Sequence, residues 1–509
     1  MSQIKCCLLS IVNCNLPQIK TKINASSCDF TVKLLSYHPV DAAIAAMLCN
    51  GVLNQQSMGL GGGFFMTVYI KEEKKAYSVI AREKAPLKAT VDMFEGDSHK
   101  SSEAVPGELR GMWAAYKRWG KLPWADLVKP TLDICKEGFA ISTVMYASLQ
   151  GAQKKNPIKD DAIGVLNPSS GEFYEPGTVV KPSKALCNTF DRIAKYGGDE
   201  LYNGTLAKDF LDDLQKIGGI ITAEDLENYQ PKITEPLSVH IGNGEVLYTA
   251  PPPGSGVILV NILNILSGYH FNSSSIATTE AKILTYHRII EAFKYAYATR
   301  SKLSDPDFAD LSTMCLFVSQ LLKNVTSPEY GTMIRLRIND TATSNDTATY
   351  GFEEYTPPDS GTAHLSIMSG NGDAVSVTSS INFYFGAGFT TRKTGIVLNN
   401  VMDDFSSPGV TNFYAVQPSP ANLIAPGKRP LSSMCPSVIV DRNGNVKLVV
   451  GASGGTKITT AVATVTIRKL WFDQPIKVAM DAQRFHHQTL PKYLAYEFGI
   501  MEVRHKFRI

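Results

Sequence analysis

The spacing of apolar and polar positions changes along this chain. "HPVDAAIAAMLCNGVL" (38–53) is apolar almost throughout, with Pro39 near its start, and predicts an Ala-rich buried helix. A Gly-rich loop follows, then a strand from Phe64 to Ile70. "KAYSVIAREKAP" predicts a second strand that ends in the charged cluster Arg82-Glu83-Lys84. "VPGELRGMWAAYKRWG", "PWADLVKPTLDICKEG" and "LAKDFLDDLQKIGG" carry helical spacing, and "TAEDLENY" opens on a capping pattern at Thr222. "SVHIGNGEVLYTAP" predicts a hairpin, and "GVILVNILNILSGY" and "ATTEAKILTYHRIIEAFKYAYATRSKL" predict helices. Residues 1–36 show no clear periodicity, and the stretch up to Asp359 reads as loop-rich.

The late part of the chain alternates. "AHLSIM", the turn "SGNGD" and "AVSVTSS" predict a hairpin, led in by the small pair Ser360-Gly361 and by Thr362 at the mouth of its first strand. Further on come a strand, an Asn-Gly turn, a strand, a Gly-Gly step and a helix, within "PSVIVDRNGNVKLVVGASGGTKITTAVATVTIRKLWF". Helices and antiparallel strands intermingle, so the class is mixed, with sheets covered by helices. The natural break in the chain is the loop-rich region before Thr362.

Composition adds little that is specific. With 509 residues, 44% hydrophobic and 19% charged, the chain is an ordinary globular one. A net charge of +3 gives no reason to expect nucleic acid or an anionic membrane as a partner. The nine cysteines form no CxxC pair and no zinc spacing, and read as buried thiols with one or two disulfides. Six N-x-S/T sequons, at Asn24, Asn203, Asn272, Asn324, Asn339 and Asn345, lean toward a secretory route. The start, "MSQIKCCLLSIVNCNLPQ", is a poor signal peptide, and no run of 18 apolar residues exists to span a bilayer.

Familiar motifs are missing. "GLGGGF" precedes a strand where a dinucleotide loop would follow one, and there is no Walker A, HExxH or GxSxG. Ser255 in "PPPGSGV" lacks the spacing of a nucleophile elbow, and His486-His487 reads as a surface pair.

Four small groupings carry possible chemistry. Thr362 would become a nucleophile with its own base if the Gly361–Thr362 bond were cut, because its α-amine would then be free. Gly454-Gly455 stands before a helix, where backbone N–H groups hold an oxyanion. Arg82 with Ser432 and Ser433 suits a carboxylate. Asn382 and Asp404, an amide and a carboxylate, suit an ammonium group. Taken singly, each has a plain structural explanation.

Together the stretches "VDAAIAAMLCNGVLNQQSMGLGGGFF", "AREKAP", "VPGELRG", "GTAHLS", "INFYFG", "NNVMDDFSSP", "SPANLIAPGKRPLSSMCPSVIV" and "VVGASGGTKITT" resemble the γ-glutamyltransferase (glutathione hydrolase) family of N-terminal-nucleophile hydrolases. The resemblance covers roughly residues 38 to 490, in the family's order. It implies an α/β (α+β) fold, a four-layer αββα sandwich. It implies an atypical segment 1–36 and a precursor that cuts itself into a large subunit, 37–361, and a small one, 362–509, held together as a heterodimer. Thr362 would attack the γ-glutamyl amide of glutathione or a related compound, releasing cysteinylglycine. Water, an amino acid or a dipeptide would then take the glutamyl group. Gly454 and Gly455 would form the oxyanion hole, and Ser380 would support the nucleophile. Arg82, Ser432 and Ser433 would hold the donor's α-carboxylate, with Asn382 and Asp404 on its α-amine. No metal and no cofactor is implied, and the expected location is extracellular or at the cell surface.

The chain departs from the family's pattern in places. Val401 stands where the family usually has Glu or Gln, and Ser380 where it has Thr. "LLSYHP" replaces a Gly-Gly segment, and the resemblance implies a Cys28–Cys49 disulfide at shorter spacing. The sequence ends at "RHKFRI", some tens of residues before the family's usual end. These departures leave a second reading open: a weak or inactive member kept for binding.

Overall fold

The computed structural model describes residues 38–94, 102–155, 163–308, 314–351, 361–408 and 419–497. Its strands, in chain order, are β1 (Gly63–Ile70), β2 (Lys75–Ala81), β3 (Lys232–Thr234), β4 (Leu237–His240), β5 (Val246–Thr249), β6 (Gly361–Met368), β7 (Ala374–Asn382), β8 (Ser437–Val440) and β9 (Val446–Val450). Two further pairs, of two residues each, join Phe139–Ala140 to Val179–Val180 and Phe485–His486 to Ala495–Tyr496. The helices that matter below are α1 (Pro39–Leu53), α2 (Glu108–Trp119), α3 (Trp124–Glu137), α4 (Lys184–Tyr196), α5 (Gly256–Ser267), α6 (Thr279–Ala298) and α7 (Lys457–Thr466).

Alternation along β1 sets the layers. Phe64, Met66 and Val68 join a cluster built with α1, α2, α3 and α4, while Phe65 and Tyr69 point to the opposite side. One antiparallel sheet has the order β3-β2-β1-β7-β6, the other β9-β8-β5-β4. Helices α5, α6 and α7 cover the outer face of the second sheet through a core that includes Leu247, Ile439 and Leu448. The result is helix, sheet, sheet, helix, the expected four-layer sandwich.

The two sheets meet across a partly polar face. Tyr69, Ala76, Ala374, Val438 and Val440 make its apolar part. Elsewhere, hydroxyls bridge the layers: Thr67 Oγ1 donates to the Pro436 carbonyl at 2.8 Å, Ser366 Oγ to Val449 at 3.1 Å and Ser376 Oγ to Val450 at 3.0 Å. This accounts for the run of Ser, Thr and His at alternate positions of β6 and β7. Their companions Leu365, Ile367, Val375 and Val377 face the first helical layer. Thr362 and Ser380 therefore stand on the polar inter-sheet face, Thr362 at the start of the edge strand β6 and Ser380 beside it on β7.

Three local signals act as read. Pro39 opens α1 and the His38 ring accepts from the Val40 N–H. Thr222 and Asp225 form a reciprocal capping box. The hairpin of β6 and β7 turns through residues 369–373.

Other expectations need correction. The stretch before Thr362 is less loop-rich than expected: it holds helices Met314–Thr326 and Pro328–Arg335, the second capped by the Ser327 hydroxyl. His486 and His487 are not a surface pair. Both are buried, with His486 held between Thr460 Oγ1 and Gln488 Oε1, each at 2.9 Å, and burial lowers its pKa to about 4. The expected Cys28–Cys49 bond involves Cys28, which lies outside the described residues, as do 1–37 and 498–509. A disulfide does join Cys135 on α3 to Cys187 on α4. Among the described residues no helix is long and apolar enough to cross a membrane.

Candidate active site

Thr362 lies next to Gly361 at the start of β6. Gly361 faces Asn382 across the ladder while Thr362 faces Ser380, so Ile381 is the extra residue of a β-bulge. The bulge brings backbone close to backbone. A Cβ built on Gly361 would lie 2.2 Å from the Phe383 carbonyl oxygen, so no larger residue fits without movement. It also gathers hydroxyls: Ser380 Oγ lies 3.1 Å from Thr362 Oγ1 and donates to the Gly361 carbonyl at 2.7 Å. The Asn382 N–H donates to the same Ser380 oxygen at 2.9 Å.

Asn382 closes β7 in the left-handed region, at φ 75°. Its Nδ2 donates to the Asn400 carbonyl at 3.0 Å, and its Oδ1 is buried with no hydrogen-bond partner. A buried acceptor left open in this way is a place for a ligand donor. Asn400 in turn accepts from the Phe383 N–H through Oδ1 at 3.0 Å and donates from Nδ2 to Asp403 Oδ2 at 2.8 Å, and burial raises the Asp403 carboxyl to about 7.

Arg82 and Asp404, expected to bind opposite ends of a ligand, are paired with each other. Arg82 Nη2 bonds to Asp404 Oδ2, and Arg82 Nη1 lies 3.2 Å from Glu83 Oε2. The rest of the guanidinium touches the carbonyls of Pro430, at 3.3 Å, and Leu431, at 3.2 Å. Arg82 thus contacts the backbone just before Ser432 and Ser433. The guanidinium on the Ser433 hydroxyl is a different one, Arg300, at 3.3 Å. Ser432 Oγ accepts from the Met434 N–H at 3.2 Å.

Gly454 and Gly455 lie between β9 and α7 with φ of 121° and 64°. Both values favour glycine, and they leave the turn to enter α7 directly. Thr459 on α7 donates to the Ser433 carbonyl at 3.4 Å, which ties this turn to the serine pair.

The residues picked from sequence therefore fall into linked sets. One runs Thr362, Ser380 and Asn382, extended by Asn400 and Asp403, neither of them expected from sequence, and the next holds Arg82 and Asp404. Through Leu431 the latter reaches Ser432, Ser433 and α7.

Comparison with known proteins follows the same line. The sequence model described as gamma-glutamyltranspeptidase matches residues 38–506. The chain belongs to the gamma-glutamyltranspeptidase family. It is 44% identical to Scoloptoxin SSD14 of Scolopendra dehaani over 90% of this chain and 79% of that one. It is 39% identical to Glutathione hydrolase 2 of Arabidopsis thaliana (90% and 78%), and 33% identical to Glutathione hydrolase 5 proenzyme of Mus musculus (88% and 77%). Among solved structures, the gamma-glutamyltranspeptidase of Pseudomonas nitroreducens complexed with L-DON superposes with a TM-score of 0.55 at 28% identity, covering 64% of this chain and 96% of that one. The cephalosporin acylase of Bacillus halodurans gives 0.74 at 24% identity, covering 91% and 82%, and shows the shared fold. This family member is a γ-glutamyl hydrolase/transpeptidase made as a precursor.

Several residues that shape the site were missed in the sequence. Glu83 is fully buried against Arg82, and burial lifts it to about 7 despite the pull of that cation. Glu108, at the start of α2, is bonded to Ser379 beside Ser380, and burial lifts it to about 8. His364, two residues past Thr362, sits between Thr378 Oγ1 at 2.9 Å and Ser366 Oγ at 2.8 Å, and burial lowers it to about 3. Its ring lies where a Cβ on Gly451 would be, 2.3 Å from two ring atoms, so it braces the strand that leads to Gly454. Buried charge inside a family motif was the signal available for Glu83 and Glu108. Arg300 offered none.

Proposed function

We propose that this family member acts through Thr362, after cleavage of its own Gly361–Thr362 bond into fragments 1–361 and 362–509. The carrying observation is the single Ser380 hydroxyl in contact with both Thr362 Oγ1 and the Gly361 carbonyl oxygen. In the precursor, Thr362 Oγ1 attacks the Gly361 carbonyl carbon. The peptide C–N bond breaks, an ester to Oγ1 forms, and the nitrogen gains a proton to become the α-amine of Thr362. Water then hydrolyses the ester. Ser380 donates to the oxygen on which negative charge develops.

In the mature enzyme that α-amine takes the Thr362 hydroxyl proton as Oγ1 attacks the γ-carbonyl carbon of glutathione or another γ-glutamyl compound. The N–H groups of the Gly454-Gly455 turn receive the oxyanion. The amide C–N bond breaks and the leaving amine carries the proton away. Water, an amino acid or a dipeptide then attacks the γ-glutamyl ester and frees Thr362.

The donor's head group would lie along Arg82, Ser432 and Ser433 by its carboxylate, and along Asp404 and Asn382 by its ammonium. The open Asn382 Oδ1 supports the second half. A zwitterion also exchanges neatly with the Arg82–Asp404 pair, since each end of the ligand replaces one ion of the pair. Val401 is fully buried in an apolar group with Ala104, Phe405 and Ile424, so it adds no acceptor. This favours weaker ammonium binding.

A secretory route is part of the proposal. Asn203, Asn272, Asn324, Asn339 and Asn345 are all exposed, as glycan attachment requires, and the Cys135–Cys187 bond suits an oxidising compartment.

Turnover of a γ-glutamyl 4-nitroanilide tests the function. Release of the chromophore, and its loss in a folded Thr362→Ala variant, is expected. Undiminished release by that variant would overturn the assignment.

A further inference from the structure

Arg300 follows α6 on the short helical turn Arg300–Lys302 and is 7% exposed. Its Nη2 reaches Ser433 Oγ at 3.3 Å. A guanidinium donates and never accepts. The Ser433 oxygen is therefore the acceptor in that bond, and its own proton is directed elsewhere. Ser432 is set in the same way, because its oxygen accepts from the Met434 N–H, another group that only donates. Both hydroxyls are thus held with their protons available to an acceptor. An ammonium at this end would meet the Arg300 charge directly. At the other end Asp404 is influenced by Arg82 and Arg300, both of which favour its ionised form against burial.

We propose that Arg300 is a positioning residue for donor recognition: it fixes the Ser433 hydroxyl as a hydrogen-bond donor to the substrate's α-carboxylate, and so sets which way the zwitterion lies. This rests on the functional reading above. It goes beyond it in assigning the polarity of the carboxylate subsite to a residue that does not itself carry the chemistry.

The test is steady-state kinetics of the matured protein with γ-glutamyl 4-nitroanilide, for the parent, Arg300→Met, Ser433→Ala and the double variant. Losing a hydrogen bond to a charged group corresponds to about a tenfold rise in KM, expected here for R300M with kcat unchanged. Because Arg300 acts through Ser433, the double variant should be no worse than S433A alone. Arg300→Lys, which keeps a donor-only cation, should return KM toward the parent value. A fall in kcat at constant KM in R300M, or additive losses in the double variant, would overturn the proposal. If R300M does not mature, R300K carries the test: a KM as high as that of S433A would overturn it, and a KM near the parent's with kcat unchanged would support it. If the parent itself releases no chromophore, the functional reading falls, and this inference with it. If the parent is active and the variants behave otherwise than stated, the inference alone falls.

Discussion

The Ser380 hydroxyl donates to the Gly361 carbonyl oxygen at 2.7 Å while its oxygen accepts from the Asn382 N–H at 2.9 Å. The backbone N–H fixes the direction of the hydroxyl, because it can only donate. Ser380→Ala should therefore slow the appearance of the two fragments by about a hundredfold, the usual effect of removing one oxyanion donor. Ser380→Thr keeps the hydroxyl and should cleave near the parent rate. Cleavage followed on a denaturing gel after synthesis in a cell-free system measures both. Cleavage of S380A at the parent rate would remove Ser380 from the maturation step.

Gly361 is set by space as much as by flexibility. A methyl group there would meet the Phe383 carbonyl at 2.2 Å for oxygen and 2.4 Å for carbon. All three nearest atoms are backbone of Asn382 and Phe383, which leaves little room to relax. Gly361→Ala is expected to lower stability by about 1–3 kcal/mol in a denaturant titration, the range for overpacking, and to impair cleavage. A variant as stable as the parent that cleaves normally would show that the close approach is not required.

The buried carboxyls give a pH dependence with a definite sign. Glu108 is raised from 4.5 to about 8, chiefly by burial, with Glu83 adding to it. The folded protein then holds this proton more tightly than the unfolded chain does. The associated stability is full below the unfolded value of 4.5 and is lost as pH rises toward about 8. Glu108→Gln removes the titration, so its thermal midpoint should fall less between pH 5 and pH 8 than the parent's. Parallel curves for the two proteins would argue against a proton on Glu108.

Val401 links stability to binding. It is 0% exposed in its apolar group, so Val401→Gln places an amide where nothing pairs with it. The unliganded variant should lose about 1–3 kcal/mol for the unsatisfied group. A donor's ammonium would supply the missing partner. A γ-glutamyl ligand should then raise the thermal midpoint of the variant more than that of the parent. An equal shift in both would show that position 401 does not face the ammonium.

Much of this arrangement was visible in the sequence, and the reasons differ by element. The β6–β7 hairpin could be read because alternation and the "SGNGD" turn act locally. The turn at Gly454 and Gly455 could be read because a Gly-Gly step between a strand and a helix marks a tight turn, and both residues take positive φ there. The pairing of Arg82 with Asp404 could not, since 322 residues separate them and nothing local brings them together. Arg300 was hidden for the same reason: it follows α6 on a short helical turn with nothing local to mark it, and its partner lies 133 residues away. His486 and His487 misled because two adjacent polar residues near a chain end resemble surface. The Thr460 hydroxyl on α7 and the Gln488 amide two residues along the chain make the burial of His486 possible, and the Thr489 N–H serves His487. The helices at 314–326 and 328–335 lie in a stretch that the many polar and Gly positions around it made look like loop.

The central claim is that Thr362 becomes an N-terminal residue. N-terminal sequencing of the smaller band from a denaturing gel of the purified protein tests it most directly. The account predicts a fragment that begins Thr-Ala-His-Leu-Ser, absent in Thr362→Ala. A single full-length chain that still turns over a γ-glutamyl 4-nitroanilide, or a fragment beginning at any other residue, would contradict it.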